Sequence, residues 1–288
     1  MTMLEIERST ESSVSRGPGQ TPMPLIHELV ARDIDGSTYV AALQSYAEIA
    51  PATRHRLLER IETGQFRAPR AALHRFFREY YAYSRQFTRF LATVIASLER
   101  PEHRAALLPN GAEEAGHVDA RHSPELHAVG LVLDDVAAPH PILFRRFLMA
   151  SGLSPEELDA AEPHVATTAW IKSFEALCRF DEATAVGALG VATEGIVRGM
   201  YQKLLVGIRR AWPALTPRDR AFFELHALVD DDHAEALRKI AVSLSASPVQ
   251  RRLLAVGTVA ALNERACFYD QMDEYLLALD AVALPEEE

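Results

Sequence analysis

The segment Phe222-Phe223-Glu224-Leu225-His226-Ala227-Leu228-Val229-Asp230-Asp231-Asp232-His233 constrains the fold more than any other. It sets two imidazoles and a carboxylate at i, i+4 and i+7. On an α-helix these three fall within an arc of roughly 60°. Phe222, Val229, Leu237 and Ile240 share that stripe, while Asp231 and Asp232 turn to other faces. A solvated face or a satisfied core network could carry the same triplet. The apolar neighbours favour inward placement, and a buried unpaired carboxylate costs several kcal/mol. Something positive must then stand opposite, and a metal ion meets that need, because imidazole and carboxylate are transition-metal ligands. The chain must therefore supply further helices around this one.

The rest of the sequence supplies them. Alternating apolar patterns are scarce, and turn signals are spaced for helices. Helices are expected at about 24–32, 38–48, 51–62, 68–99, 101–117, 123–133, 140–152, 154–161, 164–180, 182–209, 216–243 and 247–281. Ser154-Pro155-Glu156-Glu157 reads as an N-cap, a first-turn proline and acidic first-turn residues, and Thr216-Pro217 opens a helix in the same way. Residues 1–22, rich in Ser, Thr, Gly, Pro and Glu, read as a disordered lead. Residues 23–288 read as one all-α domain, a bundle of long helices.

A net charge of −10 with no basic cluster among aromatics argues against nucleic acid. No apolar run is long enough for a membrane span. No secretory pattern opens the chain, so a cytoplasmic setting is expected. Cys178 and Cys267 suggest neither a disulfide framework nor a thiolate metal site, and both read as small core hydrophobes.

Three further segments offer ligand types. Glu194 sits among small and apolar residues, Ala188-Leu189-Gly190-Val191-Ala192-Thr193-Glu194-Gly195, and reads as buried between close helices, with a surface pair to Arg198 as the alternative. One glutamate of Asn110-Gly111-Ala112-Glu113-Glu114-Ala115-Gly116 should face inward, unless the pair is exposed at a helix end. His140 begins the amphipathic His140-Pro141-Ile142-Leu143-Phe144-Arg145-Arg146-Phe147-Leu148, where it is either a ligand or only a helix-start residue. Taking Glu114 for the pair, the set Glu114, His140, Glu194, His226, Asp230 and His233 has the stoichiometry of a two-metal carboxylate–imidazole site inside helices. Oxygen and nitrogen donors without thiolate suit iron or manganese.

With these motifs in order, the chain resembles the haem-oxygenase-like diiron oxidases, relatives of the pyrroloquinoline-quinone-synthase and thiaminase-II folds. The resemblance runs from about Leu73 to Leu244. It is carried by F-F-x-x-H-x-x-x-D-x-x-H at Phe222–His233, Glu194 on the preceding long helix, N-x-x-E-E-x-G at Asn110–Gly116, and H-P-x-L-F-R-R-F-L at His140–Leu148. It implies a haem-oxygenase-like bundle of about seven core helices with extra N-terminal helices. It implies two irons at the six residues named, O2 as co-substrate and an external reductant. Haem is not implied, since inward acids disfavour a porphyrin slot.

One departure stands out. The family usually places a histidine much nearer the second glutamate, whereas Glu114 and His140 are 26 residues apart. The insert near 116–139 holds His122 at the usual spacing and reads as a loop or lid. His140 is preferred because a loop is a poor place to fix a ligand, and His122 remains the alternative. His117 and His127 read as surface residues.

The expected activity is O2-dependent oxidation of a small metabolite in specialised metabolism, an amino-acid-derived amine undergoing N-oxygenation or oxidative C–C cleavage. Alternatives are fatty-acid decarboxylation or desaturation on the same scaffold, a cofactorless thiaminase-like enzyme, or a non-catalytic metal-binding protein. Tyr80, Tyr81, Ser84, Arg85, Trp170 and Lys172 are candidates for a pocket or for ordinary packing. The partner expected is a small substrate, with a homodimer left open.

Overall fold

The computed structural model describes residue 30, residues 34–228 and residues 231–282. The lead at 1–22 and Asp230 lie outside the described residues, as does all of the expected first helix but Val30. Among the described residues every regular element is helical. No helix there is long and apolar enough to cross a membrane.

The first half forms α1 (Gly36–Ile49), α2 (Arg56–Thr63), α3 (Pro69–Ser84), α4 (Phe87–Ser97) and α5 (Pro101–Glu114). The expected helix over 68–99 is thus two. The last turn of α3 tightens, with Arg85 N–H donating to Tyr81 O and Gln86 N–H to Tyr83 O. No proline or glycine marks this corner, so periodicity alone runs through it.

The insert is not an open loop. It holds a 3-10 turn (Ala120–His122) and two short helices, α6 (Ser123–Ala128) and α7 (Leu133–Val136), pinned by buried Leu126, Leu131 and Val136. Its ends meet. Gly116 has φ +94°, and a Cβ there would lie 2.6 Å from the Ala138 carbonyl carbon. Only glycine allows both that backbone and that approach. This closure returns the chain to α5 and starts α8 (His140–Ala150) beside Glu114.

The second half runs through α9 (Pro155–Asp159), α10 (Val165–Phe180) and α11 (Glu182–Val186) into a π-helix (Gly187–Glu194) and α12 (Gly195–Ala211). Ser154 and Glu157 form the capping box of α9. The π-helix interrupts what the sequence reads as one helix. It packs along α15 (Pro248–Val282), which follows α13 (Ala221–Leu228) and α14 (Asp231–Leu244). A Cβ on Gly257 would overlap the Thr184 carbonyl, and one on Gly187 the Leu254 carbonyl, so these glycines set the spacing. Thr216 and Asp219 bond reciprocally as a cap, but the α-helix itself begins at Ala221.

The core joins α3, α8 and α13 through Phe77, Phe144, Phe147, Phe222 and Phe223, whose rings meet edge-on or stacked. Each such buried ring contributes roughly 1.5–3 kcal/mol. Cys178 is buried as expected, but Cys267 is exposed. It lies on the outer side of α15, where Gln271 Nε2 donates to its Sγ at 3.2 Å; small size did not bring it inward.

Candidate metal centre

The end of α5 brings Glu113 and Glu114, α8 opens with His140, the π-helix closes on Glu194, α13 carries His226 and α14 carries His233. Glu114, His140, Glu194, His226 and His233 are all buried. Glu114, His140 and His226 each offer one ligand atom, and these atoms lie within 4.8 Å of one another.

His140 is held because Leu143, Phe144, Phe147 and Leu148 bury one face of α8. Its Nδ1 stands 3.0 Å from Glu114 Oε1, off the line a hydrogen bond needs, and neither ring nitrogen has a hydrogen-bond partner. The His226 ring lies 4.7 Å from that of His140. Its Nδ1–H donates to Phe222 O at 2.6 Å, one helical turn back, which fixes the tautomer and leaves Nε2 as a bare lone pair. Burial, and then the charge of His140, push the His226 pKa down to about 3, so the ring is neutral near pH 7.

The carboxylates divide. Burial pushes Glu194 up to about 7, with Glu114 and Glu113 adding to this and His233 and His140 opposing it. Burial also raises Glu114, but the nearby imidazoles, His140 first, outweigh it and hold the carboxyl below its usual range. Glu113 is held down likewise, burial being outweighed by the His233 hydrogen bond; His233 Nε2 donates to Glu113 Oε2 at 3.0 Å. Acids are crowded here with imidazoles as their close partners. Adding a first-row transition cation would neutralise the acids and use the bare nitrogens, so the residues fit such a metal.

A narrow cavity reaches Glu114, Glu194 and His226 between Tyr80, Tyr83, Ser84, Phe87, Thr193, Val197, Tyr201 and Phe222. Its volume is about 30 Å3, room for a water or two and far below a ligand-sized site.

A family model described as iron-containing redox enzyme matches residues 74–265. The chain belongs to the iron-containing redox enzyme family. Two curated relatives are named 4-aminobenzoate synthase. The one from Chlamydia trachomatis is 25% identical over 56% of this chain and 62% of its own length. The one from Chlamydia muridarum is 24% identical over 60% of this chain and 65% of its own length. Each match therefore spans less than two thirds of the relative. Among solved structures, a domain with a haem-oxygenase-like fold from Shewanella denitrificans aligns with a TM-score of 0.64 at 17% identity, covering 89% of this chain and all (100%) of that one. A CADD-like protein from Nostoc punctiforme gives 0.60 at 15% identity over 94% of this chain and 98% of that one. A TenA homologue from Pseudomonas syringae gives 0.62 at 13% identity over 90% of this chain and 100% of that one. These likenesses establish the fold: this member of the family is haem-oxygenase-like and all-α.

Of the residues singled out in the sequence, Glu114, His140 and His226 stand together, and Glu194 lines the same cavity. His233 lies on the adjoining helix, paired with Glu113. Asp230 lies outside the described residues. His122 stands on the 3-10 turn, where Arg121 Nε donates to its Nε2 at 3.3 Å. Tyr80 and Ser84 line the cavity. Arg85 and Lys172 line a separate surface cleft, and Tyr81 and Trp170 pack on Phe144 and Tyr83. Sequence reasoning missed Glu113. The Glu-Glu pair was the signal, but neighbours on a helix point about 100° apart, and that suggested one acid inside and one out. It also missed Tyr83, Thr193 and Tyr201, which have no distinguishing pattern around them.

Proposed function

We propose that this chain is a nonhaem diiron oxidase or oxygenase that uses O2 on a small amine-derived metabolite. In this reading Glu114, His140, Glu194, His226, Asp230 and His233 hold the irons. The observation that carries it is the Glu114–His140–His226 cluster, with both buried nitrogens of His140 free of hydrogen bonds. Family membership supports iron and redox chemistry. The relatives named 4-aminobenzoate synthase support an amine-bearing aromatic or amino-acid-derived metabolite.

Bound iron supplies redox chemistry with O2 that no side chain has. The protein's own share is positional. Phe222 O orients His226, and Glu113 holds His233 through its Nε2 proton. Glu194 exchanges its proton near neutrality in the metal-free chain, so metal uptake there releases it. Tyr201 and Phe222 pack on the imidazoles, with Phe144 behind Phe222, and keep bulk water from them.

Anaerobic loading with Fe(II), metal analysis and then exposure to O2 test this reading. The expected result is two irons per chain and O2 consumption tied to one amine-derived substrate among a panel that also includes fatty acids. No iron under Fe(II) excess would end the diiron reading. Iron without substrate-linked O2 uptake would leave a metal-binding protein.

A further inference from the structure

A surface cleft of about 550 Å3 lies between the α3–α4 corner with α4 on one side and α10 on the other, within the size range of small-molecule sites. Each side gives it one stripe. Arg85 and Arg89 stand one turn apart on the corner and α4, and Thr168, Lys172, Glu175 and Arg179 follow at helical spacing on α10. Between the stripes the lining is apolar, with Ala82, Phe90, Pro163 and Ile171. Rings beneath hold the two sides in register. Tyr83 stacks on Trp170 at 3.6 Å, and Phe90 meets Phe174 edge-on at 5.1 Å. That register sets Arg85 and Arg89 level with Lys172.

Four cations and one acid line the cleft, and the acid is already engaged: Arg179 donates to Glu175 at 2.7 Å. Among the described residues Arg85, Arg89 and Lys172 form no ion pair. Arg89 donates to Gln86 Oε1 at 2.9 Å, a neutral partner that fixes its direction. Arg85 lies over the Tyr81 ring at 5.8 Å, and Asp159, the acid whose charge it feels, is bound at two points by Arg145. A chain with 40 acids and 30 lysines and arginines thus leaves three cations of one cleft without a carboxylate. Concave walls of one sign concentrate the field and draw anions. The corner itself faces two ways. Tyr83, Ser84 and Phe87 line the inner cavity, whereas Arg85, Gln86 and Arg89 line the cleft, which has the room that the inner cavity lacks.

We propose that this cleft binds a small organic anion. Its carboxylate or phosphate head is held by Arg85, Arg89 and Lys172, and its apolar body lies on Phe90, Pro163 and Ile171. Guanidinium forks suit either head, because both present paired oxygens. The proposal goes beyond the oxidase reading and does not depend on it, since no residue of the cleft is a candidate metal ligand.

The test is calorimetric titration of the full chain, treated with chelator, with phenyl phosphate, benzoate, inorganic phosphate and the neutral benzamide. The better of the two aromatic anions should bind at least about tenfold more tightly than benzamide, the sum of three partly exposed charge contacts, and its identity names the head. Raised ionic strength should narrow that margin. Arg89→Gln combined with Lys172→Gln should erase it; both side chains are exposed, so the melting temperature should stay as it was. Should that chain not fold, Lys172→Glu alone carries the test by reversing one charge. Glu114→Gln combined with His226→Ala should leave the margin intact, because the anion does not sit at the metal centre. Four results overturn the proposal: no anion binding, or affinities equal to that of benzamide; a margin that survives Arg89→Gln with Lys172→Gln; a margin lost with Glu114→Gln and His226→Ala; or inorganic phosphate bound as tightly as the better aromatic anion, which would leave the apolar lining without a role. Iron loading enters none of these outcomes, so the oxidase reading stands or falls separately.

Discussion

His140 concentrates the argument at the level of single residues. An imidazole buried with neither nitrogen in a well-formed hydrogen bond loses water at both ends and keeps only its charge interaction with Glu114. Its 3.0 Å approach to Glu114 makes sense as two donors converging on a third party. His140→Ala should therefore lower iron affinity by more than about 100-fold, beyond the loss usual for outer partners, while the helical circular-dichroism signal persists. His122→Ala should leave iron content unchanged, because that imidazole already accepts from Arg121 on the 3-10 turn. Metal analysis of the two variants side by side decides the matter, and the reverse pattern would move the ligand into the insert. Sequence spacing could rank these two histidines only indirectly. What separates them is the contact of Gly116 with Ala138, a long-range closure that no local pattern encodes.

Among the elements, the π-helix is the one with the most leverage. It delivers Glu194 to the cavity; Gly187 sets its approach to α15, and Gly257 sets that of the preceding α11 at Thr184. Gly257→Val should cost roughly 1–3 kcal/mol by overpacking against the Thr184 carbonyl, which is backbone and cannot swing aside. Thermal melting reads that loss, and iron titration should show a weaker site even at temperatures where the variant is folded. An unchanged melting temperature would mean that α15 shifts without strain. The helical class was legible because apolar residues recur at helical spacing over most of the chain. The corner at Arg85–Gln86 and the π-helix were not. Both lie in stretches that continue the periodicity, and both arise from tertiary packing overriding local preference. Cys267 failed for a related reason, since residue type predicts burial only on average.

For the molecule as a whole, the centre gathers acids whose charge the imidazoles offset at Glu113 and Glu114 but not at Glu194. Glu113, Glu114 and Glu194 meet inside the bundle, and Glu194 rises to about 7 in consequence of its burial and of the other two. A cation that binds only the folded chain relieves this and stabilises by mass action, about 2.7 kcal/mol at a hundredfold excess over Kd. Fe(II) loading should raise the melting temperature by roughly 5–10 °C for a chain of this size, and chelator should reverse it. Chains carrying both Glu114→Gln and His226→Ala should show no such response in a parallel scan.

The long helix α15 carries Gly257, which lies against the Thr184 carbonyl of α11, Thr258 one residue on, and Arg265, which donates to Thr193 of the π-helix. One rod thereby braces the π-helix near both its ends, at Gly187 O through the Thr258 hydroxyl and at Thr193 through Arg265. The wide turn that carries Glu194 is thus splinted from outside.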